Sequence, residues 1–100
     1  VAVTPDGDIY PCHQFVGMRD YQLGSLDHPE LRSDLQEAFL GCNVCTKETC
    51  KNCWAKYYCS GGCMANAALY GGALDHPHEI SCSLMKKRVE CAIGIYLTEQ

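Results

Sequence analysis

Nine cysteines in one hundred residues are the part of this sequence that can do chemistry. They read Cys12, then Cys42-x2-Cys45-x4-Cys50-x2-Cys53-x5-Cys59-x3-Cys63, then Cys82 and Cys91. Three chemistries use cysteine at this density. Disulfides need an oxidising compartment and normally an even count, and Cys-x2-Cys pairs seldom close on themselves. Structural zinc takes paired Cys-x2–4-Cys hooks and often recruits His, of which His13, His28, His76 and His78 are at hand. Iron–sulfur clusters take four thiolates each from tight hooks plus remote cysteines, and two clusters would use eight of the nine. The reason for tight spacing is geometric: two cysteines separated by two residues wrap one edge of a compact inorganic body, and the backbone N–H groups between them point at its sulfurs. Spacing alone does not separate zinc from iron.

The composition agrees that sulfur matters more than hydrocarbon. Apolar residues are 47% of the chain, but that figure includes every cysteine and rests on only two Phe and one Trp. A chain this short buries a modest share of its surface, and small domains of this kind are commonly held by cross-links or metals. The net charge of −4 excludes the basic stripe of a nucleic-acid module. No apolar run reaches the roughly 18–20 residues of a membrane span, and no secretory leader pattern is present. The opening Val1-Ala2-Val3-Thr4 lacks an initiator Met and reads as the edge of a piece of a longer protein. A cytoplasmic setting is expected, with neither nucleic acid nor membrane as partner.

The elements that would position the cysteines are legible in outline. Residues 1–12 read as a β-hairpin around Thr4-Pro5-Asp6-Gly7-Asp8, delivering Cys12 at its end, with Pro11 marking an edge strand. Residues 13–26 read as irregular, with bends at Gly17 and Gly24. Asp27 as N-cap, Pro29 in the first turn and Glu30 in capping-box register predict a helix over 28–40, its apolar face made of Leu31, Leu35, Ala38 and Phe39 and its end at Gly41. Residues 42–63 hold six cysteines and no periodicity, so they form a loop organised around sulfur. Residues 64–70 read as a helix stopped by Gly71-Gly72. Asp75-His76-Pro77-His78 reads as a helix entry or turn, and Leu84 to Leu97 as an amphipathic terminal helix with Met85, Val89, Ala92, Ile93 and Tyr96 on one side. The expected fold class is therefore small α+β, irregular and organised by metal clusters: an N-terminal hairpin, a Cys-rich loop region, short helices and a C-terminal amphipathic helix.

Cys50-x2-Cys53-x5-Cys59-x3-Cys63 followed by Cys82 resembles the SPASM domain, the auxiliary-cluster domain of many radical S-adenosylmethionine enzymes. Thr4-Pro5-Asp6-Gly7-Asp8-Ile9-Tyr10-Pro11-Cys12 is similar to the hairpin that supplies the first ligand in that family, and Leu23-Gly24-Ser25 to its glycine turn. Residues 12–17, 53–63 and 86–92 are similar to the maturases of SCIFF peptides, six-cysteine precursors that receive sulfur-to-carbon thioether cross-links. The likeness covers most of residues 3–90, and residues 1–100 as a whole are read as the auxiliary-cluster domain. It implies two [4Fe–4S] clusters here: a distal one on Cys50, Cys53, Cys59 and Cys82, and a proximal one that includes Cys12 and Cys63. The family's further proximal cysteine would fall at residue 29, which is Pro29, so Cys42 and Cys45 are assigned in its place. The pair Cys59 and Cys63 would then be divided between the two clusters. The loaded sites would add roughly −4 to the formal −4.

The same likeness implies partners and limits. The parent would be an enzyme acting on a Cys-rich precursor peptide, with S-adenosylmethionine and a third [4Fe–4S] cluster in an upstream radical barrel of the same chain. The clusters here would bind or orient the peptide thiolate, accept an electron, or both. No catalytic residue is assigned in these hundred positions: the one Cys-x3-Cys is Cys59/Cys63, and residue 66, where a third cysteine would follow, is Asn66. The fragment alone is expected not to cleave S-adenosylmethionine. Two other readings stay open: a zinc-stabilised interaction module with four-cysteine sites and no redox function, and a ferredoxin-like carrier, which lacks its Cys-x2-Cys-x2-Cys-x3-Cys-Pro run. Around the cysteines, His13 either donates to a cluster or is a surface turn residue. Trp54, Tyr57 and Tyr58 are expected to supply hydrophobic mass, Lys86-Lys87-Arg88 a solvated helix face, and Cys91 a buried free thiol.

Overall fold

Pro5 and Gly7 turn the chain back on itself over Thr4–Asp8. Gly7 takes φ +86°, the Gly7 amide donates to the Thr4 carbonyl at 2.9 Å, and the Thr4 side chain accepts from the Asp8 amide at 3.1 Å. The turn joins β1 (Ala2–Val3) and β2 (Asp8–Tyr10) as an antiparallel pair, Ala2 opposite Tyr10 and Val3 opposite Ile9. The hairpin expected over residues 1–12 is therefore present. A third strand, β3 (Gly24–Ser25), pairs with the other side of β2, Asp8 opposite Ser25 and Ile9 opposite Gly24. This corrects two readings. Residues 13–26 are not wholly irregular, and β2 is the central strand of the sheet, not an edge. Pro11 does no harm because the strand stops at Tyr10, before the missing N–H would be needed.

The computed structural model describes residues 1–100, whose packing divides into Val1–Gly41 and Cys42–Gln100. It is a small α+β structure with a three-stranded antiparallel sheet and several short helices. In the first unit, Ile9, Leu23 and Leu35 form the buried core with Tyr21 and Phe39 against them. Phe15, 1% exposed, meets Tyr21 at a tilt of 40° and Phe39 edge-on at 5.6 Å between ring centres. Helix α1 runs Ser33–Gly41, not 28–40. Asp27 does not cap it: the Asp27 amide is taken by the Ser25 hydroxyl at 3.2 Å, and the Arg32 amide by the Leu23 carbonyl at 2.9 Å, so residues 26–32 are committed to the sheet side before the helix begins. Of the four residues expected on its apolar face, Leu35 and Phe39 pack on the core.

The second unit contains α2 (Glu48–Lys51), α3 (Lys56–Cys59), α4 (Met64–Asn66), a π-helical turn at Ala67–Gly71 and α5 (Glu79–Thr98). The Cys-rich stretch is thus partly helical, one turn at a time. α5 begins five residues earlier than its apolar pattern suggests, with His78 at the N-cap and its Nδ1 2.9 Å from the Ser81 hydroxyl. Its seam is covered only at Val89 and partly at Met85; Ile93 and Tyr96 are exposed. No helix is long and apolar enough to cross a membrane.

What the second unit buries is small: Cys50, Ala55, Ala65, Ala67 and Val89, together with the charged Lys47. Trp54, Tyr57 and Tyr58, expected as its hydrophobic mass, are 51%, 76% and 70% exposed. Its tightest backbone approach is at Gly71, where a Cβ would fall on the His76 carbonyl. Backbone cannot yield as a side-chain tip can, so Gly71→Ala is expected to cost roughly 2–3 kcal/mol, read as a lowered chemical-denaturation midpoint. A midpoint equal to that of the parent would show that the two segments are not held in contact.

Candidate metal centre

The positioning of the cysteines starts at Asn43. Its side-chain oxygen accepts from the Cys45 amide at 2.9 Å, its own amide donates to the Thr46 hydroxyl at 3.0 Å, and its carbonyl accepts from the Lys47 amide at 2.9 Å. This Asx turn satisfies the backbone of 43–47 locally and leads directly into α2. Cys50 lies on α2 and is buried. The Cys53 amide donates back to the Cys50 carbonyl at 3.0 Å, and the Lys56 amide to the Cys53 carbonyl at 3.3 Å, so the Cys-x2-Cys hook is a sequence of tight turns. α3 then carries Cys59 at its last position.

Beyond Cys59 the backbone does something uncommon. Ser60, Gly61 and Gly62 take φ +60°, +96° and +75° in succession. L-residues resist this region and glycine enters it freely, which explains the glycine pair, and Ser60 bears the modest penalty. The left-handed run ends at Cys63, the N-cap of α4. Further along the same unit, the early start of α5 places Cys82 inside its first turns.

These residues enclose one cavity of about 600 Å³, and Cys50, Cys53, Cys59, Cys63 and Cys82 all line it. Gly61 and Gly62 form part of the wall, and His78, Met85 and Lys86 another part. Burial pushes the Cys82 thiol above its ordinary pKa, and the charges of Cys50, Cys59 and Cys53 push it further against the opposing pull of Lys86. Cys50, Cys53 and Cys59, grouped with Cys82 by family likeness as the distal set, therefore lie within electrostatic reach of Cys82. All nine cysteines are free thiols. No group of three or more His, Cys, Asp or Glu side chains converges closely enough to hold a single metal ion.

The remaining sites of the sequence reading fall elsewhere. Cys42 is half-buried, Cys45 is exposed, and neither lines the cavity. Cys12 belongs to the first unit, half-buried at the N-cap of the 3-10 turn His13–Phe15. His13 is exposed. Cys91 is exposed, not buried: it stands on α5 nine residues beyond Cys82, about two and a half turns, hence on the opposite side. Lys86 is not merely part of a solvated face, since it lines the cavity and acts on Cys82, whereas Lys87 pairs with Glu90 at the surface. Of the histidines noted in the sequence as possible ligands, His78 lines the cavity, whereas one contributor went unread: Lys47, which is buried and donates to Gly61 in the turn between Cys59 and Cys63. No protein-family model matches the chain, and no curated protein matches it either.

A thiol whose pKa is raised by folding stabilises the fold below the ordinary value of 9.0 and loses that contribution as pH rises through the folded value. The reduced, metal-free chain is expected to lose melting temperature between about pH 8 and pH 11 more steeply than the Cys82→Ser variant. Parallel slopes for the two would show that Cys82 ionises as freely in the fold as outside it.

Proposed function

We propose that this chain is an auxiliary iron–sulfur domain of a radical S-adenosylmethionine peptide maturase, with Cys50, Cys53, Cys59 and Cys82 holding a [4Fe–4S] cluster. The observation that carries the reading is that these four thiols, with Cys63, line one cavity, in which burial first and the charges of Cys50, Cys59 and Cys53 second push the Cys82 pKa up. The cavity wall brings together the four cysteines grouped as the distal set by likeness to the SPASM pattern and also Cys63, which that likeness assigns to the proximal set, although Cys82 is 19 positions from Cys63, the nearest other cysteine in the wall.

The donor set suits such a group. A single zinc ion draws four ligands to about 2.3 Å from one point. Here the thiols line a cavity of about 600 Å³, space that an occupant with several metal atoms could fill. When bound, a [4Fe–4S] cluster supplies one-electron redox capacity and iron that can take a thiolate. The chain's own residues do the rest. Cys50, Cys53 and Cys59 present thiolates from one short stretch and Cys82 supplies the fourth from α5. The apolar stem of Met85 and the glycine backbone of 61–62 shape the wall. The reading does not depend on the second set of Cys12, Cys42, Cys45 and Cys63.

In the parent enzyme, the substrate would be a Cys-rich precursor peptide, the modification a sulfur-to-carbon thioether, and the radical generated in an upstream barrel. The domain's part would be to orient the peptide thiolate or to take up an electron.

Anaerobic reconstitution with ferrous iron and sulfide is expected to give brown protein with broad absorption near ~400 nm and about four iron per chain from this cavity, or about eight if a second cluster forms. Cys50→Ala, Cys53→Ala, Cys59→Ala and Cys82→Ala should each remove about four iron, and Cys91→Ala none. Colourless protein that binds zinc and no iron would overturn the proposal in favour of a structural zinc module. Chelation of the iron should leave the first unit's aromatic core intact while residues 42–63 gain amide exchange.

A further inference from the structure

Lys47 is 3% exposed, the one charged side chain in the interior. Its ammonium donates to the Gly61 carbonyl at 3.0 Å and lies 3.9 Å from the Met64 sulfur. It takes no part in any of the four ion pairs. An ammonium has three N–H donors, and a carbonyl with a thioether sulfur compensates it poorly. Burying a charge without an opposite one is expensive enough that proteins rarely do it. The location offers the answer. Gly61 is at once the acceptor for Lys47 and a wall residue of the thiol cavity, and a Cβ built on Gly61 would lie 3.5 Å from the Lys47 nitrogen. The ammonium therefore stands one residue's thickness behind the wall.

We propose that Lys47 is the built-in countercharge and positioning residue of this cavity: its ammonium pins the left-handed Ser60–Gly62 turn through Gly61 and faces the negative charge that metal-bound thiolates bring. The inference rests on the cavity being a thiolate metal site, and it deepens that reading by stating the sign of the loaded charge. Four thiolates around a [4Fe–4S]²⁺ core carry −2 in all, and reduction by one electron makes it −3. A fixed positive charge in a poorly screened interior favours the more negative state. The residue thus both orders the turn between Cys59 and Cys63 and makes the site easier to reduce.

The test compares the parent chain with Lys47→Met, which keeps the apolar stem and removes donor and charge, and Lys47→Arg, which keeps both. After reconstitution with iron and sulfide, potentiometric titration of the parent and Lys47→Met is expected to show the reduced-to-oxidised ratio at a fixed potential falling about tenfold, about 59 mV for one electron. Lys47→Arg should stay within about twofold of the parent, a rescue that a purely space-filling role would not produce. Cobalt(II), followed by its thiolate charge-transfer absorption, probes the same thiols without any cluster and should bind about tenfold more weakly to Lys47→Met than to the parent or Lys47→Arg. A parent that takes up no iron but shows the cobalt difference upholds Lys47 and removes the iron–sulfur reading. Equal potentials and equal cobalt affinities in folded Lys47→Met and parent overturn the countercharge, as does a parent that binds neither metal. If Lys47→Met does not fold, Lys47→Gln, which keeps a neutral donor, takes its place in the same comparisons.

Discussion

The second unit has to stay folded with almost no hydrocarbon to fold around. Its buried side chains are alanines, one valine, one cysteine and a lysine, while its Trp and the tyrosines beside it face outward. At about 25 cal/mol per Å² of buried apolar surface, side chains of this size contribute little each, and ordering the backbone costs roughly 1–2 kcal/mol per residue. Every peculiarity of residues 42–100 follows from that shortfall. The helices before α5 are single turns stitched by local hydrogen bonds, and the space where a core would sit is a cavity with thiols in its wall. A unit built in this way gains most from an occupant that forms several strong bonds to it at once, because such bonds replace the packing it lacks.

The first unit is the opposite case. Phe15, Tyr21 and Phe39 meet at ring separations of 4.6–6.4 Å over a core of Ile9, Leu23 and Leu35. Three very short strands suffice because their sheet has one well-covered face. Its turn chemistry supports the same arrangement, with Gln22 donating to Asp8 at 2.9 Å and Arg32 bridging Asp34 and the Asp20 carbonyl. Large aromatic side chains are few in this sequence, and the fold places both phenylalanines here. The second unit is thereby left to other means.

What the sequence disclosed follows the same division. The hairpin was legible because Pro5, Gly7 and the β-branched residues each act locally. The cavity gathers five of the cysteines that carry the likeness of pattern, Cys63 among them, without separating a distal from a proximal set; spacing by itself left zinc and iron open. The start of α1 was misread because Asp27 and Pro29 form a convincing local helix signal, and the long-range bond from the Arg32 amide to Leu23 overrides it. β3 escaped because two residues have no periodicity to detect. Exposure of Trp54, Tyr57 and Tyr58 ran against the usual fate of aromatics, since the short helices around them offer too little surface to cover them. Lys47 left no sign at all, because a lysine among polar neighbours looks like surface.

That buried lysine also bears on how the cavity handles charge. Cys82 experiences Lys86 on α5 as its mitigating cation, and Lys47 stands behind the wall residue Gly61. Neutral thiols give neither cation a full partner. Once thiolates form, each positive charge offsets part of the repulsion that would otherwise oppose bringing four negative sulfurs together. In the proposed metal-bound state, deprotonation and metal uptake would be a single event: proton loss from the thiols is unfavourable without the metal, and Lys86 and Lys47 would be best compensated when both have occurred. On the proposed reading the cavity would suit a net-anionic metal–thiolate assembly better than neutral thiols, with Lys86 in the wall and Lys47 behind Gly61 supplying part of that preference.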